Sequence, residues 1–476
     1  MRGDRPFAIA AAASTAASIG ADPAASLLLT DLYELNMYAA YLQAGMTGTA
    51  VFEFFVRKLP PERNFLLAAG LEQVVQFLER ARFTDAELAW LDRSGRFDAR
   101  TLASLASFRF AGEVYAVPEG TVVFADEPIL GIAASLPQAQ LLESRVINLL
   151  HLETVIASKA ARMVLAAPGK RLLDFGLRRA HGAEAGLLAA RAAYLAGFDG
   201  SATLLAEPLF GVPAYGTMAH SFIQAHEDEA TAFERFARAR PEQVTLLLDT
   251  YDTEAAAHKV VRLAPRLARE GITVRGVRLD SGDLAAHARR VRTILDQGGL
   301  TQVRIFASGG LDEWQLRPPA ATPPLDGFGG GTRLTTSADA PALDCAYKLQ
   351  AYAGVPKRKR SEGKATWPGR KQVFRRRDAS GRIDGDVITV EGDRQAGEPL
   401  LRPVLRDGLR LQVPPSLQEI RAHAHAELAG LPDRLRALEP CAAYPVEIAA
   451  ALRALSEEAD RRVWAGGTRK GRYPDG

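Results

Sequence analysis

VRGVRLDSGDLAAHARRVRTILDQG, from Val274 to Gly298, reads as a short apolar strand, a polar Asp-Ser-Gly-Asp corner and a helical segment. The same texture recurs on both sides. Upstream, KRLLDFG leads into GAEAGLLAARAAYLAG, and VTLLLDT leads into AAAHKVVRLAPRLAREG; downstream, VRIFASGG leads into DEWQL. Strands that alternate with helices predict an α/β architecture with a largely parallel sheet. The polar strand ends are evenly spaced, 31 residues from Asp249 to Asp280 and 28 from Asp280 to Ser308. In a parallel sheet all such ends lie on one side, so Asp174, His220, Asp249, Asp280, Ser308 and Gly329 are expected around a single pocket.

Outward from this core the chain changes character. Residues 141–165 predict one long helix leading into the repeats, and the whole stretch 141–350 reads as the catalytic unit. Residues 26–140 mix helical pieces, among them LYELNMYAAYLQAG and a helix over 64–78, with β-prone runs such as TAVFEFFVR, EVYAVPEG and TVVFADEP, which predicts a small α+β domain. Residues 351–476 begin with the basic run VPKRKRSEGKATWPGRKQVFRRR and are expected to pack with that domain. The Ala-rich start, residues 1–25, reads as a disordered lead-in rather than a targeting peptide, and TRKGRYPDG as a loose tail.

Composition narrows the function. With 47% hydrophobic residues, 476 positions and two cysteines, Cys345 and Cys441, the chain excludes a disulfide scaffold, a Cys-based zinc finger and a wholly disordered protein. Lys+Arg of 59 against Asp+Glu of 56 is too balanced to indicate nucleic-acid binding. No strongly apolar run approaches 18 residues, so no membrane span is expected, and a cytoplasmic enzyme is the natural reading.

Two Gly-rich corners carry the chemical signal: Ser308-Gly309-Gly310, and GFGGGT, which includes Gly330, Gly331 and Thr332. Glycine lets backbone amides close on phosphate oxygens, and two such corners at successive strand ends point to a phosphate site. No Walker A or dinucleotide fingerprint occurs in a fitting context. Asp280 and Asp283 are spaced to hold a hydrated Mg2+ or ribose hydroxyls, with helix capping by Asp283 as the alternative; Asp249 repeats the theme. His220 is a candidate for proton or phosphoryl transfer, and Arg178 and Arg179 for pairing with carboxylate or phosphate. Lys357, Lys364 and Lys371 lie in the basic run, which could reach polyphosphate or RNA or be a solvated loop, and whose Pro and Gly suit a mobile flap.

In order along residues 26–375, TDLYELNMYAAY at Thr30, FEFFVRKLP at Phe52, DFGLRRAHG at Asp174, GTMAHSF at Gly216, LLLDTYDT at Leu246, GVRLDSGDL at Gly276, ASGGLDE at Ala307 and FGGGTRL at Phe328 resemble the nicotinate phosphoribosyltransferases. The resemblance implies an irregular (β/α) barrel-like domain with an α+β domain formed by N- and C-terminal portions, in a homodimer with shared active sites. It implies conversion of nicotinate and 5-phosphoribosyl 1-diphosphate to nicotinate mononucleotide and diphosphate in NAD salvage, with Mg2+, and with ATP as co-substrate hydrolysed through a phosphohistidine.

By motif position His220 is that phosphorylated residue, and Tyr33 the aromatic that stacks on the pyridine ring. Asp280 and Asp283 are expected at the ribose hydroxyls or the metal's water shell, and Gly216, Thr217, Ser221 and Asp249 at the substrates. Arg178 or Arg179 is expected at the carboxylate or a phosphate, with Arg57 and Arg333 as further anion contacts. A nicotinamide phosphoribosyltransferase is the alternative, and a catalytically inactive RNA-binding homologue using the region from Lys357 to Arg377 a remote one.

Overall fold

The computed structural model describes residues 23–317 and 324–467. Most of the lead-in, the tail TRKGRYPDG and the middle of the insertion between Arg317 and Asp326 therefore lie outside the described residues. Six parallel strands form the core of the larger layer: β1 (Arg171–Asp174), β2 (Gly200–Ser201), β3 (Val244–Leu247), β4 (Val274–Leu279), β5 (Arg304–Ser308) and β6 (Gly327–Gly330). Their spatial order is β2-β1-β6-β5-β4-β3, so the curled sheet is open between β2 and β3. This is the largely parallel α/β architecture that the strand-helix repetition predicts, curled into the barrel-like form that the family resemblance implies.

Each repeat is built by the same local physics. Asp252 accepts a hydrogen bond from the Ala255 N–H at 2.7 Å and starts the helix Thr253–Arg269, whose Ala256, Val260, Leu263 and Leu267 form a buried stripe. Asp283 does the same for Leu284–Gln297, which buries Ala288, Val291 and Leu295. The strand ends thereby double as helix starts, which sets polar side chains and free N–H groups at one rim of the sheet.

A seven-stranded antiparallel sheet forms the second layer, in the order 355–356, 345–352, 49–56, 128–135, 113–116, 402–406 and 409–410. Thr49–Val56 pairs on one side with Pro128–Ser135 and on the other with Cys345–Tyr352, so a strand that follows the barrel returns to the N-terminal layer. Lys371–Arg377 and Ile383–Val390 lie in a further four-stranded sheet. The helix Glu143–Ala166 is largely buried and packs against both the short strand Leu66–Leu67 of the N-terminal portion and Ala183–Ala196 of the barrel.

The helix expected over 64–78 starts later, at Leu71. Gly70 has φ +98°, and a Cβ there would lie 3.0 Å from the Leu149 carbonyl oxygen, so the chain turns at this residue and Leu66–Leu67 pairs with Val122–Val123 instead.

Candidate active site

The strand ends do converge. The Asp249 carboxylate accepts the Asp280 N–H at 3.1 Å and the Ser281 hydroxyl at 2.5 Å, and the Asp280 carboxylate accepts the Ser308 hydroxyl at 2.5 Å. These bonds lace the ends of β3, β4 and β5 together. The other Asp249 oxygen, Oδ1, is buried without a hydrogen-bond partner. A Cβ on Gly309 would lie 2.2 Å from the Asp280 carbonyl oxygen, and φ there is +105°, so glycine is required for this close approach. Asp283 caps its helix through the Ala286 N–H at 3.0 Å, which holds its carboxyl below the usual range, and it remains exposed at the rim.

His220 begins the short helix His220–Gln224, with Ser221 exposed beside it. Its Nδ1 lies 3.1 Å from the Thr250 hydroxyl, next in sequence to Asp249, and its Nε2 has no hydrogen bond among the described residues. Imidazole and carboxylates therefore share one rim. Asp174 is different: it is buried, accepts the Ser201 hydroxyl at 2.6 Å and the Gly176 N–H at 2.8 Å, and burial raises its pKa. It fixes the Phe175-Gly176 turn and leaves Arg178 and Arg179 exposed, without ion pairs among the described residues.

A cavity of about 510 Å³ runs inside the sheet from Arg171 and Arg304 at strand starts to Phe175, Thr217 and Arg278 at strand ends; Gly216 also lines it. Arg278 is the residue that motif reading passed over. Its guanidinium donates to the Thr217 hydroxyl and the Met218 carbonyl, each at 3.2 Å, and sits 6.0 Å from the centre of the Phe175 ring. Its Nε is buried without a partner, and burial lowers its pKa. Alternation along β4 puts residue 278 on the face shared with Asp280, which is the signal that could have found it.

The second Gly corner ends β6 and leads into Thr332–Thr335, where Arg333 pairs with Asp312 at 3.1 Å. Of the expected residues only Gly216, Thr217 and Gly329 line the cavity, and the rim carrying His220, Asp249, Asp280 and the other corner glycines lies outside its lining. Tyr33 is 45% exposed on the helix Leu32–Gln43 and does not line the cavity of its own chain. Arg57 pairs with Asp344 at 2.8 Å. Lys357 and Lys364 are exposed, but Lys371 is not part of a flap: it is buried in a strand and paired with Glu53 at 2.5 Å, because its ammonium neutralises a carboxylate that the sheet encloses. Among the described residues no cluster of three His, Cys, Asp or Glu side chains is arranged to hold a metal ion by itself. At the rim Asp249 Oδ1 is left without a hydrogen-bond partner, which suits a single contact to a hydrated cation rather than a closed metal site.

Comparison with known proteins agrees with this geometry. Residues 28–151 match the nicotinate phosphoribosyltransferase N-terminal domain, residues 170–368 the nicotinate phosphoribosyltransferase family and residues 393–456 its C-terminal domain. A nicotinate phosphoribosyltransferase of Mycobacterium tuberculosis is 49% identical, covering 88% of this chain and 91% of the relative. One of Bacillus subtilis is 36% identical, covering 79% and 78%. The crystal structure of human nicotinic acid phosphoribosyltransferase superposes with a TM-score of 0.81 at 31% identity, covering 90% of this chain and 99% of that one. The chain belongs to the nicotinate phosphoribosyltransferase family.

Proposed function

We propose that the protein joins nicotinate to 5-phosphoribosyl 1-diphosphate, forming nicotinate mononucleotide and diphosphate for NAD salvage, with ATP hydrolysis coupled through His220. The observation that carries the choice of base is Arg278, a half-buried cation beside the Phe175 ring in the cavity. A ring stacked on Phe175 with its carboxylate toward Arg278 gains a charge-assisted hydrogen bond that a neutral amide does not make, which favours nicotinate over nicotinamide.

In this reading the pyridine nitrogen attacks C1 of the ribose as the bond from C1 to the diphosphate oxygen breaks. The electron pair of that bond leaves with diphosphate, and no proton moves. Asp280 and Asp283 orient the ribose hydroxyls, and the amides at Gly309, Gly310, Gly331 and Thr332 hold the 5-phosphate. Asp280 and Asp283 would hold Mg2+ through its water shell, and the ion would supply charge neutralisation of the diphosphate leaving group. Thr250 holds His220 by Nδ1, so Nε2 is the atom presented to the γ-phosphoryl of ATP; ADP leaves with the electron pair of the broken P–O bond, and water later hydrolyses the phosphohistidine to inorganic phosphate and free His220. Lys357 and Lys364 are available to the polyphosphate. Tyr33 reaches a pyridine ring in a homodimer, from the exposed surface it shares with Leu29 and Leu32.

The basic run gives no continuous surface for RNA, since Arg375 pairs with Asp386 and Glu427, Arg376 with Glu447, and Arg377 with Glu427. No helix among the described residues is long and apolar enough to cross a membrane. The test is product formation from 5-phosphoribosyl 1-diphosphate and Mg2+ with nicotinate or nicotinamide, with and without ATP. Nicotinate mononucleotide with ADP, and loss of ATP stimulation in His220→Ala, is expected. Nicotinamide mononucleotide as the preferred product overturns the choice of base, and undiminished stimulation in His220→Ala overturns the coupling.

A further inference from the structure

Behind the two Gly corners lies a buried ionic cluster that the substrate chemistry above does not use. Arg63 pairs with Asp339 at 2.9 Å and donates to the Ser337 hydroxyl at 3.0 Å. Lys159 bonds Asp339 at 2.7 Å and also Glu313, and Arg162 bonds Glu313 at 2.9 Å and the Leu438 carbonyl at 3.1 Å. The side chains of Arg63, Lys159, Arg162 and Glu313 are at most 3% exposed. Five separate stretches of chain thus meet: the loop before Leu66–Leu67, the helix Glu143–Ala166, the segments after the first and the second Gly corner, and the turn at Leu438.

Position along the chain ties this cluster to the corners. Glu313 follows Gly310 by three residues, and its neighbour Asp312 caps the short helix Glu313–Leu316 while pairing with Arg333 of the other corner at 3.1 Å. Ser337 and Asp339 follow Thr332 directly after its own short helix, and Ser337 adopts φ +42°, a left-handed conformation held in place while the Arg63 guanidinium bonds its hydroxyl. Among the buried side chains three cations, Arg63, Lys159 and Arg162, face two carboxylates, Glu313 and Asp339, with Glu62 and Glu439 acting on Arg63 and Arg162 from the exposed side, and Nη1 of Arg63 is buried without a hydrogen-bond partner. Replacing such a cluster by apolar side chains generally costs little stability, so stability alone does not account for it. An excess of buried positive charge behind two rows of amides suits an anion in front of them.

We propose that Arg63, Lys159, Arg162, Glu313 and Asp339 form a positioning network that locks the two Gly corners in register and biases them electrostatically toward the 5-phosphate of the ribosyl donor. The inference rests on the reading that these corners hold that phosphate. Arg63 is the member to remove, because Asp339 keeps Lys159 as a partner and the remaining two buried cations face two buried carboxylates.

The experiment uses the full chain and two readouts, inorganic phosphate titrated against thermal unfolding and steady-state kinetics. Arg63→Met is expected to weaken phosphate binding and raise KM for 5-phosphoribosyl 1-diphosphate by about tenfold, with KM for nicotinate and kcat held within about twofold. Arg63→Lys, which keeps the charge, is expected to recover most of that loss. Unchanged phosphate affinity in Arg63→Met, an equal decline of every kinetic parameter with it, or no phosphate response in the wild-type chain overturns the network. Should Arg63→Met not fold, Ser337→Ala removes one acceptor of the same guanidinium; a threefold or so weakening of phosphate binding supports the proposal, and none overturns it. A wild-type chain that binds phosphate but forms no nicotinate mononucleotide overturns the functional reading instead, so the two failures are told apart.

Discussion

In the proposed reading a single guanidinium selects between the two pyridines. Arg278 is held by Thr217 and the Met218 carbonyl, so its cost of ordering is met before substrate arrives. Arg278→Gln keeps a polar amide at about the position of Nε and deletes both the charge and the Nη donors; removing a charge-assisted hydrogen bond of this kind costs about 2 kcal/mol, or roughly 30-fold in kcat/KM. The loss is expected for nicotinate, with nicotinamide unchanged or improved, and competition between the two pyridines measures the ratio. An equal loss for both would remove Arg278 from base selection. The carboxylates and glycines of the same rim were legible in sequence because Asp, Ser and Gly interrupt apolar runs at conspicuous places. Arg278 was not, since one arginine in VRGVRL looks like an exposed strand residue until the curl of the sheet turns its face inward.

At the level of elements, the βα repeats are readable because every step is local: a short apolar run, an aspartate cap and an amphipathic helix occupy about 30 residues. The antiparallel layer is not, because alternation within Thr49–Val56 does not say that Cys345–Tyr352 will lie beside it. One joint of that layer carries a pH dependence. Glu34, on the helix Leu32–Gln43, accepts the Ser144 N–H at 2.8 Å at the start of Glu143–Ala166, and the Thr30 hydroxyl at 2.5 Å. Burial pushes its carboxyl from 4.5 up to about 7, against the opposing hydrogen bonds. The folded state thus binds the proton more tightly than the unfolded one, so this group's contribution to stability is full below pH 4.5 and is lost as pH rises toward 7, by about 3 kcal/mol. Glu34→Gln keeps the shape without the titration. Its melting temperature is expected to decline less than the wild type's between pH 5 and pH 8, and an identical decline in both proteins would assign the pH dependence elsewhere.

For the molecule as a whole, the question is whether one chain contains a complete site. Arg278, Phe175, His220 and both Gly corners belong to the barrel, whereas Tyr33 lies on the other layer, 45% exposed, with Leu29 and Leu32 exposed at 46% and 52% around it. An apolar patch around an aromatic that its own cavity does not use is the kind of surface that a second copy covers. In a two-fold dimer each site then combines Tyr33 from one chain with Arg278 from the other. Tyr33→Ala and Arg278→Ala are each expected to lower activity severely when assayed alone. After unfolding and refolding the two variants together in equal amounts, about half the dimers carry one chain of each kind. In these, one site collects both lesions and the other has neither, so roughly a quarter of wild-type activity returns. Recovery must depend on co-refolding, since mixing the folded homodimers without exchange gives no intact site. A co-refolded sample no more active than the average of its parents would place Tyr33 and Arg278 in the same chain's site or remove Tyr33 from catalysis.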